Sequence, residues 1–125
     1  MYMKKWLLPV LLLLSLSSAA VTPKQDTVRI NTTELARKVY GYADITPVEI
    51  VIVDGKILEI KALPNEETPA YFEEVRKSRI FTRLRGMTVE EAKKVELDAI
   101  SGATYSSLAV IENIRLGLEA ASKKQ

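Results

Sequence analysis

The sequence predicts a small α+β domain in which a β-hairpin-centred antiparallel sheet packs against short helices and a C-terminal amphipathic helix. The hairpin is indicated by two apolar runs, 48–53 and 57–62, joined by Asp54-Gly55, a dipeptide that favours two-residue turns. The final helix is indicated by 106–121, where apolar side chains recur along one stripe. A chain of 125 residues has room for one such core. The helical stripe consists of Leu108, Ile111, Ile114 and Leu118, with Glu112, Arg115 and Glu119 on the opposite side.

The first 20 residues have the three-part pattern of a secretory signal peptide. Lys4 and Lys5 form a basic start, 6–16 is an apolar run, and Ser18-Ala19-Ala20 is a small-residue exit. We expect export to the periplasmic or extracytoplasmic side of a membrane and cleavage after Ala20, which leaves residues 21–125 as the mature domain. A retained anchor is the alternative, although the run is shorter than the roughly 20 apolar residues of a spanning helix.

Composition excludes several classes of function. The chain has no cysteine and no histidine, so it has no disulfides, no thiolate or imidazole metal ligands and no imidazole base. Redox or group-transfer chemistry must come from hydroxyls, carboxylates, Lys, Arg or a bound cofactor. Lys4 and Lys5 account for the net charge of +2, because 16 of the 18 basic residues remain against 16 acidic ones. A neutral body without a basic block argues against nucleic-acid binding.

Before the hairpin, the sequence predicts a polar lead over 21–30 and then a short amphipathic helix. Asn31 and Glu34 have the spacing of a capping box, and Gly41 can end the helix. The apolar face of this helix would comprise Leu35, Ala36, Val39 and Tyr40.

After the hairpin, prolines at 64 and 69 interrupt the pattern, and 71–84 then predicts one or two short helices ending near Gly86. Thr88 and Glu91 form a second capping-box pattern that predicts another helical turn or two. Residues 95–100 are expected to be extended. Aromatic residues at helical spacing are more typical of a core than of a ligand site, so we expect Tyr71, Phe72 and Tyr105 to be buried. The alternative is that these rings pack against the ring of a bound ligand.

A run of small and hydroxyl-bearing residues, 98–107, leads into the last predicted helix. Helix N-termini leave backbone N–H groups unpaired and carry partial positive charge, so this junction suits an anion such as phosphate. Gly102 and Ala103 allow a ligand to approach the main chain closely. The alternative is an ordinary helix start in which Ser106 or Ser107 is the N-cap.

The segment Asp98-Ala99-Ile100-Ser101-Gly102-Ala103-Thr104 resembles the flavinylation motif of the FMN-binding domain family, which includes flavin-carrying subunits of the sodium-pumping NADH:quinone reductase and of the Rnf complex. The order Asp, two residues, Ser, Gly, Ala, Thr is matched throughout. Glu67-Thr68-Pro69-Ala70 is similar to the Glu-Thr-Pro-Gly loop near the flavin in that family, with Ala70 in place of Gly.

The resemblance implies that residues 21–125 are an FMN-binding domain with FMN held covalently by a phosphoester to Thr104. No histidine is present to activate the Thr104 hydroxyl, so a separate modifying enzyme is needed. The resemblance implies that this enzyme is an exported, magnesium-dependent flavin transferase that uses FAD as donor and releases AMP. Redox partners would be membrane-bound or soluble. The other candidate cofactor-binding residues are Asp98, Ser101, Gly102, Ala103, Ser106, Ser107, Glu67 and Thr68, and no catalytic or metal-binding residue is expected.

Three functions are compatible with these observations. The first is an exported electron carrier that is not an enzyme on its own. The second is an exported flavin-binding or sensor domain without covalent attachment and without catalysis, which an intact Thr104 disfavours. The third is a hydrolase using Ser101 or Thr104, which lacks the histidine of a common triad and would need a lysine base.

Overall fold

The computed structural model describes residues 26–124, and within them it confirms a small α+β fold with a three-stranded antiparallel sheet. The proposed signal peptide, 1–20, lies outside the described residues. No helix within 26–124 has the length and apolar character needed to cross a bilayer. The strands are β1 (Thr27–Asn31), β2 (Val48–Val53) and β3 (Lys56–Ala62), and the helices are α1 (Pro69–Arg76), a 3₁₀ turn (Arg79–Phe81), α2 (Val89–Ala92) and α3 (Thr104–Lys123).

The predicted hairpin is confirmed as β2 and β3. Its turn residues, Asp54 and Gly55, both have positive φ, at 49° and 81°. Positive φ at both central residues makes the turn match the right-handed twist of the flanking strands. The Asp-Gly dipeptide therefore determined this turn locally.

Strand β1 was missed by the sequence analysis, which treated 21–30 as a polar lead. The strand pairs antiparallel with β2, so that Ile30 lies opposite Ile50. Val28 and Ile30 do alternate with polar residues, but two apolar positions in a short edge strand are a weak signal. Pairing with the hairpin gives this segment its extended conformation.

The predicted helix beginning at Asn31 is wrong. Residues 33–38 form turns, and Asn31 ends β1 while its side chain accepts a hydrogen bond from the Thr33 amide at 2.9 Å. Thr32 is fully buried and exchanges hydrogen bonds with the Val48 backbone, which ties this segment to β2. These hydrogen bonds keep the backbone at Thr32 alongside β2, so a regular helix does not begin at the predicted position. Of the predicted apolar face, only Ala36 is fully buried, and Leu35 and Tyr40 are exposed.

The remaining helices follow the sequence more closely. One α-helix and one 3₁₀ turn lie within 69–81, and Gly86 follows them with a φ of 81°. The Thr88–Glu91 capping box is confirmed at the start of α2. Residues 95–100 form no regular element, and a turn at 101–103 connects them to α3.

Helix α3 packs across the sheet and closes the core. A Cβ at Gly117 would lie 2.7 Å from Ile50 Cδ1, so glycine allows the helix to approach β2 closely. Ile114 and Leu118 are buried as predicted, whereas Leu108 is half exposed. The helix begins at Thr104, two residues before the predicted start, so the last residue of the motif is its first helical residue.

Candidate functional site

A sharp turn carries the chain into α3. Gly102 has a φ of 88°, in the left-handed region that only glycine adopts at little cost, and the Ala103 amide donates to the Ile100 carbonyl at 3.0 Å. Ala103 is buried at the end of this turn, whereas Thr104 is exposed. The glycine-alanine pair therefore anchors the main chain and presents the threonine hydroxyl to solvent.

The start of α3 has no side-chain cap among the described residues. Its N-cap residue is Ala103, which has no hydrogen-bonding side-chain atom, and no acidic residue lies in the first turn. The first N–H groups of a helix have no acceptor within the helix and form the positive end of its dipole. The first turn of α3 therefore offers unpaired amides to an external anion beside Thr104.

The two serines of this turn have internal partners. The Ser107 hydroxyl accepts a hydrogen bond from the Ile100 amide at 2.9 Å and donates to the Thr104 carbonyl at 3.2 Å. The Ser106 hydroxyl donates to the Glu67 carboxylate. Neither serine is the N-cap, and both are buried. These two hydroxyls are engaged within the protein and hold the turn in place.

Glu67 is the best-connected side chain at the site. Its carboxylate accepts the Tyr42, Ala43 and Asp44 amides at 2.8, 2.7 and 3.0 Å, in addition to the Ser106 hydroxyl. Burial raises the pKa of the Glu67 carboxyl, but these hydrogen bonds outweigh burial and hold the pKa below its usual value. The side chain is 4% exposed. Glu67 therefore binds protein groups in this structure.

An aromatic cleft of about 370 Å³ lies beside Thr104. Its walls include the rings of Tyr42, Tyr71 and Tyr105, which are 73%, 57% and 68% exposed. The expectation that Tyr71 and Tyr105 are buried is wrong, and only Phe72 belongs to the core. Tyr42 was missed altogether, because nothing in its loop sequence indicates which side chains it will meet. The cleft is completed by Gly102, Ala103, Thr104 and Ser106.

Three other predicted site residues, Thr68, Ser101 and Asp98, do not line this cleft. Thr68 is the N-cap position of α1 and is exposed, but its side chain makes no capping bond. Ser101 is exposed on the turn before Gly102. Asp98 is exposed in a neighbouring cleft of about 250 Å³ that also contains Arg79 and Arg83.

A larger groove of about 520 Å³ lies elsewhere, between α3 and residues 92–97. It contains none of the motif residues. Within residues 26–124, no cluster of acidic side chains has the arrangement of a metal site. The last three residues of the motif, Gly102, Ala103 and Thr104, line the tyrosine-containing cleft at the uncapped start of α3.

Comparison with known proteins identifies the family. The sequence matches the FMN-binding domain over residues 41–119, which include the Glu67 loop, all three tyrosines and Thr104. No curated protein and no solved structure matched the chain. The match covers more than half of the sequence and contains every residue of the cleft. The chain therefore belongs to the FMN-binding domain family.

Proposed function

We propose that this protein is an exported electron-transfer module that carries FMN covalently through a phosphoester to Thr104. The observation that carries this proposal is the position of Thr104. Its side chain is exposed at the first position of an uncapped helix and lines a cleft with three tyrosine rings. One side of the site is therefore suited to a phosphate and the other to a planar ring.

The residues present fit the two halves of FMN. Amides in the first turn of α3 can donate to the phosphate oxygens, and the helix dipole favours their negative charge. The exposed faces and edges of Tyr42, Tyr71 and Tyr105 provide stacking surfaces for an aromatic ring system. Bound FMN would supply one-electron and two-electron chemistry that the side chains of this protein lack.

Attachment requires a second protein. A threonine hydroxyl is a weak nucleophile without an activating base, and the sequence contains no histidine. We propose that an exported, magnesium-dependent flavin transferase supplies the base and uses FAD as donor. The Thr104 oxygen forms a bond to the flavin-side phosphorus while the pyrophosphate P–O bond breaks. AMP leaves, and the hydroxyl proton passes to the base of the transferase.

The signal-peptide pattern supports a location outside the cytoplasm, where such a transferase and membrane-bound or soluble redox partners would meet this domain. Sequencing the N-terminus of the exported protein tests this part of the proposal. We expect the mature chain to begin at Val21. A chain recovered with residues 1–20 intact would instead support a retained anchor.

The decisive experiment is the intact mass of the exported protein after co-expression with a flavin transferase. We expect the parent to gain one FMN less one water and Thr104→Ala to gain nothing. Thr88→Ala is the matched control, because it removes the same hydroxyl at the start of α2, away from the cleft, and should load fully. Loading of Thr104→Ala would contradict the attachment site.

The same experiment, combined with a measurement of FMN binding, distinguishes the covalent carrier from the alternative non-covalent flavin-binding domain. A parent that stays unmodified but binds free FMN, with loss of affinity in Tyr42→Ala, would indicate a non-covalent flavin-binding or sensor domain. A parent that neither gains mass nor binds FMN would contradict both functions. The tyrosine substitution tests the cleft directly because Tyr42 is 73% exposed and contributes little to the core.

A further inference from the structure

Glu67 joins two segments that are far apart in the sequence. Tyr42, Ala43 and Asp44 lie 25 to 23 residues before it, and Ser106 lies 39 residues after it. All four groups donate hydrogen bonds to the same buried carboxylate. The side chain is therefore a link between the loop before β2 and the first turn of α3.

The fit around this carboxylate is close. A Cβ at Gly41 would lie 2.5 Å from Glu67 Oε1 and 3.0 Å from Thr46 Cγ2, so a side chain there would displace the carboxylate. The four donors are three amides and one hydroxyl, all of them neutral. Hydrogen bonds from neutral dipoles to a carboxylate are strong and directional, and they require the acceptor to be in one position. The loop and the helix start are consequently held at a defined separation.

Each segment held by Glu67 also contributes one tyrosine to the cleft. Tyr42 belongs to the loop, and Tyr105 precedes Ser106 in α3. Tyr71 lies four residues after Glu67, in the first turn of α1. Glu67 itself does not line the cleft. We infer that Glu67 is a positioning residue, whose carboxylate holds Tyr42, Tyr71 and Tyr105 around Thr104. This inference rests on the proposed function, in which the cleft receives the flavin ring.

The sharpest test replaces Glu67 by glutamine. Glu67→Gln keeps the shape of the side chain, but its NH₂ group cannot accept the amides that the second carboxylate oxygen accepts. Glu67→Asp keeps the charge with a shorter reach and serves as the conservative rescue. Glu66→Gln is the matched control, since Glu66 is the exposed neighbour. Ser106→Ala removes one of the four hydrogen bonds and serves as a milder variant if Glu67→Gln does not fold.

Two measurements are made on the unmodified protein. The first is hydrogen exchange of the Tyr42, Ala43 and Asp44 amides, which we expect to be about tenfold faster in Glu67→Gln than in the parent. The second is the set of nuclear Overhauser contacts between the Tyr42 ring and residues 102–106. We expect these contacts in the parent and in Glu66→Gln, their loss in Glu67→Gln and partial recovery in Glu67→Asp.

The third measurement is the visible circular dichroism of the FMN-loaded protein, which reports how rigidly the ring is held in asymmetric surroundings. We expect Glu67→Gln to keep the far-ultraviolet spectrum of the parent while losing most of the visible signal. A folded Glu67→Gln with the parent's amide exchange, ring contacts and visible signal would overturn the inference. Ser106→Ala is judged by the same criteria.

The two proposals fail differently. If the parent never gains FMN, the proposed function fails, while the exchange and ring contacts of the unmodified protein still decide whether Glu67 positions Tyr42. If the parent loads normally and Glu67→Gln is indistinguishable from it, the positioning role fails and covalent attachment stands.

Discussion

Two helix starts in this molecule are built in opposite ways. At α2, the Thr88 hydroxyl accepts the Glu91 amide at 3.2 Å, and the Glu91 carboxylate accepts the Thr88 amide at 2.9 Å. Glu90 and Glu91 also place negative charge in the first turn. At α3, the N-cap is Ala103, and the first turn has neither an acidic residue nor a side-chain cap from within residues 26–124.

The difference indicates what each helix start does. The capping box of α2 satisfies its own amides and complements its own dipole, so nothing further is needed there. The start of α3 leaves both the amides and the dipole for another group, beside an exposed hydroxyl and three exposed aromatic rings. An open helix end alone is common. At α3 it coincides with the aromatic cleft and with the segment 98–104 that resembles a flavinylation motif, and this combination supports the proposed phosphate position.

Among variants of the helix starts that keep Thr104, the largest expected effect on FMN loading comes from adding an acidic side chain to the first turn of α3. In Tyr105→Glu, the carboxylate should repel the incoming phosphate and slow FMN loading by about tenfold relative to Tyr105→Gln, which removes the same ring without adding charge. The unmodified Tyr105→Glu protein should be the more stable of the two, by about 0.3–1 kcal/mol, because the charge complements the dipole. Loading rates from intact mass and urea unfolding measure the two effects. Equal loading of the two variants would contradict a phosphate at this helix start.

The next largest effects are expected from alanine substitutions at two glycines that have the same backbone conformation. Gly102 and Gly86 have φ of 88° and 81°, and an added Cβ would meet nothing within 4 Å at either position. Gly102→Ala and Gly86→Ala should therefore each cost about 1–2 kcal/mol of unfolding free energy through backbone strain alone. Only Gly102→Ala should slow loading, since Gly102 directs the turn into Thr104. Similar loading rates in the two variants would show that the turn geometry is unimportant for attachment.

Acid should weaken the hydrogen bonds of both Glu67 and Glu91. The pKa of Glu67 and that of Glu91 both lie below the usual 4.5, because Glu67 accepts hydrogen bonds that outweigh its burial and Glu91 accepts the Thr88 amide. A folded-state pKa below the unfolded value means that the stabilisation is complete above about pH 4.5 and is lost as pH falls through the folded-state pKa. The protection factors of the 42–44 amides, which are corrected for the slower intrinsic exchange at low pH, should fall over this range in the parent, and Glu67→Gln should show no such transition there.

The smallest expected effect is a difference in unfolding free energy between Thr88→Ala and Thr104→Ala. Thr88→Ala should cost about 1 kcal/mol of unfolding free energy, because it removes the N-cap hydroxyl of α2. Thr104→Ala should change stability by less than about 0.5 kcal/mol, because the side chain is exposed and does not cap α3. Thermal unfolding of the unmodified proteins measures both. A larger cost for Thr104→Ala would indicate a structural role for its hydroxyl.

Features encoded within a few adjacent residues were predictable. Asp54-Gly55 determined the hairpin turn, Thr88 and Glu91 determined a capping box, and the motif ending at Thr104 indicated the family. Each depends on backbone preferences or on side chains within one helical turn, so the sequence contains the whole signal.

Features that depend on distant partners were not predictable in the same way. Residues 27–31 form a strand because β2 offers an edge, and Thr32 is held out of a helix by its bonds to Val48. The exposure of Tyr71 and Tyr105 also contradicts their periodicity, which is typical of a core. Local patterns cannot distinguish a buried apolar face from a face that borders a cleft.

The sequence by itself determined the α+β class, the hairpin, the start of α2 and the family to which the chain belongs. Only the tertiary structure decided which tyrosines meet beside Thr104 and that Glu67 binds Tyr42, Ala43, Asp44 and Ser106. The physical reason is the range of the interactions. Turn and capping preferences act over a few residues, whereas a cleft is formed by segments that the packing of α3 on the sheet brings together.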